Sequence, residues 1–442
     1  MAAHAAKTID LAHEKLDIHQ IAPALYRYAG LIGLAAMALS IVIGLVDYFA
    51  LGGPKHSFFS SYLANFFFFL SLSLAATFFV LIQHITRAGW SVVVRRIAEA
   101  VSANFDLHAL LAIGVLIGSG ALYKWAWIGP EKRALDELLV HKHPYLNEPF
   151  LLLRLIGYFL VWYFVSRFYL GLSARQDQTG DPQLTIRMQT YSAVCIVLMA
   201  LTATFASFDL VMSLYPHWYS TIFGVYVFSG GMFGFFALTI IIAVLLQRYG
   251  RATHVITPEH YHDLGKFMFA FTVFWAYIAY SQYMLQWYAD IPEETQFWFA
   301  RGISSGAHLI ENPAGIPPEA HLHFITPNQT AWTPFSIFLL VGHFIIPFFL
   351  LISRYPKRRP RLLVVLACWV LLMHWLDMIW LVKPNPRHAT NNEIVVLTIM
   401  DFTLLIGMGG LFVAAVARHL RKLPVIPIRD PRLNESLRFE NA

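Results

Sequence analysis

The sequence predicts an all-α, polytopic integral membrane protein of ten transmembrane helices. Three observations carry that prediction. Of 442 residues, 57% are hydrophobic and only 13% charged, about half the charge of an ordinary soluble domain. Apolar runs of about 20 residues, the length a helix needs to cross hydrocarbon, recur ten times along the chain. The polar connections between those runs alternate between basic and less basic, as the loops of a multi-pass protein do.

The spans fall near 27–50, 58–84, 105–124, 149–171, 190–214, 219–246, 264–289, 332–353, 362–382 and 394–417. They are preceded by a segment 1–26 that is polar and His-rich at its start. It lacks the short apolar core of a secretory leader, so the first span is expected to be a retained helix. An even number of spans places both termini on one side. The termini and the connections at 85–104, 167–189, 247–266 and 354–361 hold most of the Lys and Arg residues, with "RYPKRRPR" (354–361) and the basic tail 418–442 foremost. Positive charge marks the cytoplasmic face, so both termini are expected there.

Between the second and third spans, "WSVVVRRIAEAVSAN" (90–104) is amphipathic. Val94, Ile97 and Val101 share one face, and Arg95, Arg96 and Glu99 lie off it. Such a segment is expected to lie along the inner membrane surface. The connection 290–331, which contains "ENPAGIPPEAHLHFITPN", is too polar to span and is expected to form an irregular outer lobe. Gly114 with Gly118, and Gly230 with Gly234, are four apart, a spacing that lets helix backbones approach. The aromatic run "NFFFFL" (65–70) is expected to face lipid.

Several chemistries are excluded. The two cysteines, Cys195 and Cys368, cannot furnish the roughly four thiolates of an iron–sulfur cluster. A transmembrane b-type haem wants two facing axial histidines; His84 and His108 lie at one face, but no second pair has matching spacing. His321 and His323 are two apart, a weak metal signal, and no metal site is expected. The net charge of +6 belongs to one set of loops and does not indicate a nucleic-acid partner.

Ionisable side chains inside a bilayer are costly and demand a partner or a wet path. Arg154 and Asp209 each lie about 8–9 Å inside the outer ends of the fourth and fifth spans, at 1.5 Å per residue. Neighbouring spans would let them pair. In "HWLDMIW" (374–380), His374 and Asp377 are three apart and share a helical face. Asp401 is expected at a similar depth, which makes a possible proton relay of one imidazole and two carboxylates. A hydrogen-bonded trio that fixes helix register is the plainer alternative. Asp106 and His108 open the third span at the inner face, and His343 stands alone near the middle of the eighth. Together these six form a candidate half-channel: Asp106 and His108 inside, His343 midway, and His374, Asp377 and Asp401 outside.

The stretch "FDLVMSLYPHWYSTIFGVYVFSG" (208–230) resembles the signature of the NrfD/polysulfide-reductase membrane-subunit family. Its aspartate, its Pro-His-Trp-Tyr-Ser-Thr turn and the Gly-Val-Tyr start of the next span are the matching parts. "LLVGHFIIPFFLLISR" (339–354) and the ten-span layout are similar too. The likeness is to the branch that serves bacterial alternative complex III, a quinol:electron-acceptor oxidoreductase. The resemblance implies two four-helix bundles, spans two to five and six to nine, with spans one and ten alongside. It implies no prosthetic group in this chain, quinol or quinone being the small molecule handled. It implies an ActC-like paralogous membrane subunit, an iron–sulfur subunit, and multihaem and monohaem c-type cytochromes as partners. It maps Asp209 onto the acidic residue before the fifth-to-sixth turn. Asp209 and His217 then lie at the depth expected for quinol oxidation, with Arg154 as the alternative ion-pair partner. The expected role is a proton route and a quinol site within a complex that is catalytic only as a whole. A passive scaffold and a proton-coupled transporter are the competing readings.

Overall fold

The computed structural model describes residues 11–53, 55–289, 291–303, 332–384 and 397–441. Among the described residues the secondary structure is helical, without strands. Among these residues ten helices are long and apolar enough to cross a membrane: Ala22–Ala50, His56–Ile85, Val92–Ile117, Glu148–Thr179, Pro182–Leu214, Phe223–Arg248, Pro258–Ala289, Trp332–Ile352, Pro360–Val382 and Ile399–Leu420. The apolar runs of the sequence thus become the ten spans, and several continue past their apolar cores. Spans four and seven have 32 residues each, about 48 Å at 1.5 Å per residue, well beyond a hydrocarbon layer of about 30 Å.

Local chemistry explains where one such extension stops. Asn147 accepts from the Phe150 N–H at 2.9 Å and starts span four. Gly180, at φ +69, ends it in the left-handed conformation that glycine adopts without strain. Asp181 then caps the next helix by accepting from the Gln183 N–H at 2.9 Å, and Pro182 takes its first position.

The spans pack as two rings of four. In the first, span two contacts three and five, and span four contacts three and five; in the second, span six contacts seven and nine, and span eight contacts seven and nine. Spans one and ten pair closely with each other and lean on span two. Gly33 and Gly410 make that pairing possible: a Cβ on Gly33 would lie 2.7 Å from the Leu411 backbone nitrogen.

Span two is the axis of the molecule, touching spans of both rings. Its apolar core is 94% buried, against 11% for span one. The run Asn65–Leu70 is correspondingly inside, with Phe66 and Phe67 at 0–1% exposure. The expectation that it faces lipid is therefore corrected. Lipid and protein interior select the same apolar residues, so hydropathy alone does not separate them.

The amphipathic segment is a second correction. Residues 92–102 form the first part of span three, and every one of them is buried. The charged face meets protein: Arg96 donates to Asp177 at 2.6 Å and pairs with Glu99 at 3.0 Å, while Arg95 pairs with Glu99 at 3.3 Å and with Asp430. Two unlike faces require two unlike partners, and here the polar partner is span four and the C-terminal tail rather than lipid headgroups.

That tail runs across one end of the bundle. The Val425 N–H donates to the Leu16 carbonyl at 2.6 Å, Ser436 donates to the Trp90 carbonyl at 2.6 Å, and Lys266 donates to Asn441 at 2.7 Å. Residues 11–21 and 421–441 therefore share this end, called the terminal end below. At the opposite end, Pro292–Phe299 is helical within the connection expected to be irregular. His321, His323 and most of that connection lie outside the described residues.

Candidate functional site

Three of the ionisable residues converge in the second ring of helices. His343 of span eight and His374 and Asp377 of span nine bring ring nitrogens and a carboxylate oxygen within 4.8 Å of one another. All three are 0% exposed. His374 stands about 14 residues, or ~21 Å, from the terminal end of span nine, and about 8 residues, or ~12 Å, from its other end.

The backbone brings His343 to this place by a local fault in its helix. Residues Leu340–Ile345 form a π-turn, a wider turn often found at functional sites. Pro347 supplies a cause: it has no N–H for the carbonyl four residues before it, that of His343, and its ring crowds that carbonyl. Trp369 of span nine donates to the Gly342 carbonyl at 2.8 Å, which ties the widened turn to the neighbouring span. The His343 ring lies against Trp275, with centroids 3.8 Å apart, and against Phe233 at 4.6 Å.

Space for His374 comes from span six. A Cβ on Gly234 would stand 2.6 Å from the His374 Cδ2, and one on Gly230 would stand 3.3 Å from the same ring. The four-residue glycine spacing is therefore a true close contact, and it faces the site. Ser71 of span two completes the setting. Its hydroxyl donates to the Phe68 carbonyl at 2.7 Å and lies 2.9 Å from His374 Nε2. The hydroxyl has one proton, and in the arrangement that places it on the Phe68 carbonyl, Ser71 Oγ accepts from Nε2–H. In the neutral ring the lone pair is then on Nδ1.

Asp377 is held by two donors. Tyr226 donates to Oδ1 at 2.6 Å and Trp275 Nε1 to Oδ2 at 3.2 Å. The imidazoles are less provided for. Nδ1 and Nε2 of His343 and Nδ1 of His374 have no hydrogen-bond partner among the described residues. Buried polar atoms are nearly always paired, so three such nitrogens side by side call for a physical account.

Asp401 is placed apart from this group. It closes a capping box with Thr398 at the start of span ten and pairs with Lys383 at 2.5 Å. The expected trio at one level is thus revised: His343 takes the place given to Asp401, and it is a neighbour of His374 and Asp377 rather than a separate midway step.

A contrasting polar node lies near the opposite end of the first ring. Arg154 donates from Nε to Asp209 Oδ2 at 2.8 Å and from Nη2 to Oδ1 at 3.0 Å, a two-pronged fork. Tyr158 donates to the same carboxylate at 2.9 Å, and Arg154 Nη1 donates to the Tyr145 carbonyl at 2.9 Å. Burial first, and the Asp209 charge second, push the Tyr145 hydroxyl up to about 12. The expected Arg154–Asp209 pair is formed and saturated.

His217 stands apart from Asp209 in hydrogen bonding, in the turn that follows span five. It contacts Asp136 at 2.8 Å, and Lys142 donates to the neighbouring Pro216 carbonyl at 2.7 Å. Burial foremost, then Lys124, hold His217 below its ordinary range despite Asp136. At the terminal end, half-buried Asp106 pairs with Arg418 at 2.5 Å and Arg167 at 3.5 Å. His108 is buried and shares a contact of 2.9 Å with Ser73. Ser71 and Ser73 lie on different sides of span two, so His374 and His108 approach that helix from opposite flanks.

Sequence reasoning passed over several members of these groups. Ser71 and Trp275 carry no signal in spans rich in aromatics and small residues, and Tyr226, though part of the Gly-Val-Tyr stretch, is given no role of its own by that motif. Arg301, expected in an outer loop, is fully buried and donates to the Trp380 and Leu381 carbonyls at 3.1 and 2.9 Å, capping span nine. A basic side chain is favourable at a helix C-terminus, but Arg301 lies 79 residues from Trp380 in the chain, so no local sequence signal points to it. No protein-family model and no curated protein matches the chain, so the family resemblance rests on the stretches 208–230 and 339–354 and on the ten-span layout.

Proposed function

We propose that the chain is an integral membrane subunit of a quinol-oxidising respiratory complex, an ActF-type subunit of alternative complex III, and that it contributes a proton relay centred on His343, His374 and Asp377. The observation that supports this reading is the set of uncommitted imidazole nitrogens beside a buried carboxylate, deep within a helical bundle. Intramembrane groups of this kind commonly carry protons, and an imidazole can both accept one and release one from its two nitrogens. Ser71 and Tyr226 extend the hydrogen-bonded set on either side. The chain supplies no redox centre in this reading. Electrons pass through an iron–sulfur subunit and multihaem and monohaem c-type cytochromes, beside an ActC-like membrane subunit, in a bacterial cytoplasmic membrane with both chain ends inside.

Within this reading Asp209 and Arg154 hold spans four and five together, because the carboxylate is already occupied by three donors. A quinol ring near His217 is the secondary site. A passive scaffold is the competing reading. The two separate when Asp377→Asn and His374→Gln are introduced into the intact complex, reconstituted in vesicles with a quinol and an electron acceptor. The relay predicts fewer protons translocated per quinol oxidised in a complex that still assembles with its cytochromes. An unchanged proton yield at unchanged turnover would leave the scaffold.

A further inference from the structure

We propose that His343, His374 and Asp377 form a binding site for a divalent transition metal of the zinc class. Two imidazoles and one carboxylate are a donor set such ions accept, with a further position left for water. The candidate donor atoms already lie within 4.8 Å of one another. Ligation at about 2.0–2.2 Å needs them somewhat closer, so loading draws the three side chains together.

Three features point to an ion rather than to a chance meeting of side chains. The first is the uncommitted nitrogens, two on His343 and one on His374, all buried and all in the cluster. The second is tautomer control. With the Ser71 proton on the Phe68 carbonyl, Oγ accepts from His374 Nε2–H, and the lone pair is left on Nδ1, the nitrogen without a partner among the described residues. Metal-bound histidines are commonly oriented in this way by an acceptor on the far nitrogen. The third is the support of the carboxylate by Tyr226 and Trp275, while Trp275 and Phe233 fix the plane of the His343 ring. The glycines at 230 and 234 leave the room that a larger residue would fill.

The consequence for proton transfer rests on the relay reading. An ion on those lone pairs removes the groups that would carry the proton, so a filled site blocks the relay. Metal binding itself does not depend on that reading.

The test uses the purified full-length chain, loaded with Zn2+ or Co2+ during synthesis and freed of loosely held ions. Expected is one ion per chain by elemental analysis, and a Co2+ absorption spectrum of low-symmetry, four- or five-coordinate type. His343→Gln with Asp377→Asn loses the ion, and Ser71→Ala weakens retention by about 10- to 100-fold. Monodisperse elution and thermal unfolding verify that each variant is folded. His343→Cys keeps Co2+ and gains a thiolate-to-metal charge-transfer band, which a purely packing role for His343 would not produce. Equal metal content in the parent chain and the double variant overturns the proposal, as does a cluster that holds ordered water only. If zinc binds and proton yield in the complex is unaffected, the metal site stands and the relay falls. If no zinc binds and Asp377→Asn still lowers proton yield, the metal site falls and the relay stands.

Discussion

Asp209 receives two hydrogen bonds from Arg154 and one from Tyr158, whereas His343 finds no partner for either ring nitrogen among the described residues. Both side chains are fully enclosed, at 0–1% exposure. The difference separates two uses of polarity inside an apolar bundle. A saturated pair fixes how two helices meet, and each member is needed because the other is buried. An unsaturated cluster leaves buried nitrogens without partners among the described residues, at a cost in stability.

The comparison can be broken by substitution. The largest effect is expected from Arg154→Met, which strands the Asp209 carboxylate. Removing one partner of a buried ion pair costs about 3–5 kcal/mol, and unfolding in detergent should show that loss, with Asp209→Asn partly restoring it in the double variant. A loss below about 1 kcal/mol would mean that the pair behaves as an exposed one. Next is Gly234→Ala, whose new methyl meets His374. Overpacking of this kind costs about 1–3 kcal/mol, and the same variant should disturb the site. An Ala at the open Gly171, which has nothing near it, should be tolerated.

His343→Leu sharpens the contrast from the other side. Replacing an unsatisfied buried polar group by an apolar one is close to neutral or stabilising, so its unfolding midpoint should hold or rise while proton yield falls. A loss as large as that of Arg154→Met would show that His343 is structural. The smallest effect is a pH dependence. His217 is held below its ordinary value of 6.5, mainly by burial and Lys124, so the folded state favours the neutral ring. The stability that this contributes is complete above 6.5 and is lost as pH falls from there through the lowered folded value. His217→Gln should flatten that acid-side slope, and an unchanged slope would place its origin in another group.

Ten spans and their order were legible because a bilayer demands about 20 apolar residues per helix and leaves the charge in the connections. Span ends were less so, since Gln176 and Asp177 continue span four as a helix beyond its apolar core. The Arg154–Asp209 pair could be inferred from depth and from the adjacency of successive spans. His374 and Asp377 could be joined by a three-residue spacing, but their meeting with His343 could not. It depends on a π-turn ahead of Pro347 and on which faces of spans six, eight and nine come together. Equal depth suggested Asp401 instead, and depth says nothing about azimuth around a helix.

The sequence by itself determined that this chain is a helical membrane protein, how many times it crosses, and which few residues carry charge into its interior. Those follow from one-dimensional facts, namely composition, run length and spacing along a helix. The tertiary structure alone decided that the phenylalanines of span two are core, that the charged face of residues 92–102 is covered by span four and the tail, and that a histidine of span eight meets a histidine and an aspartate of span nine. Lipid and packed protein are equally apolar to a side chain, and only the helix packing shows which of the two each face meets.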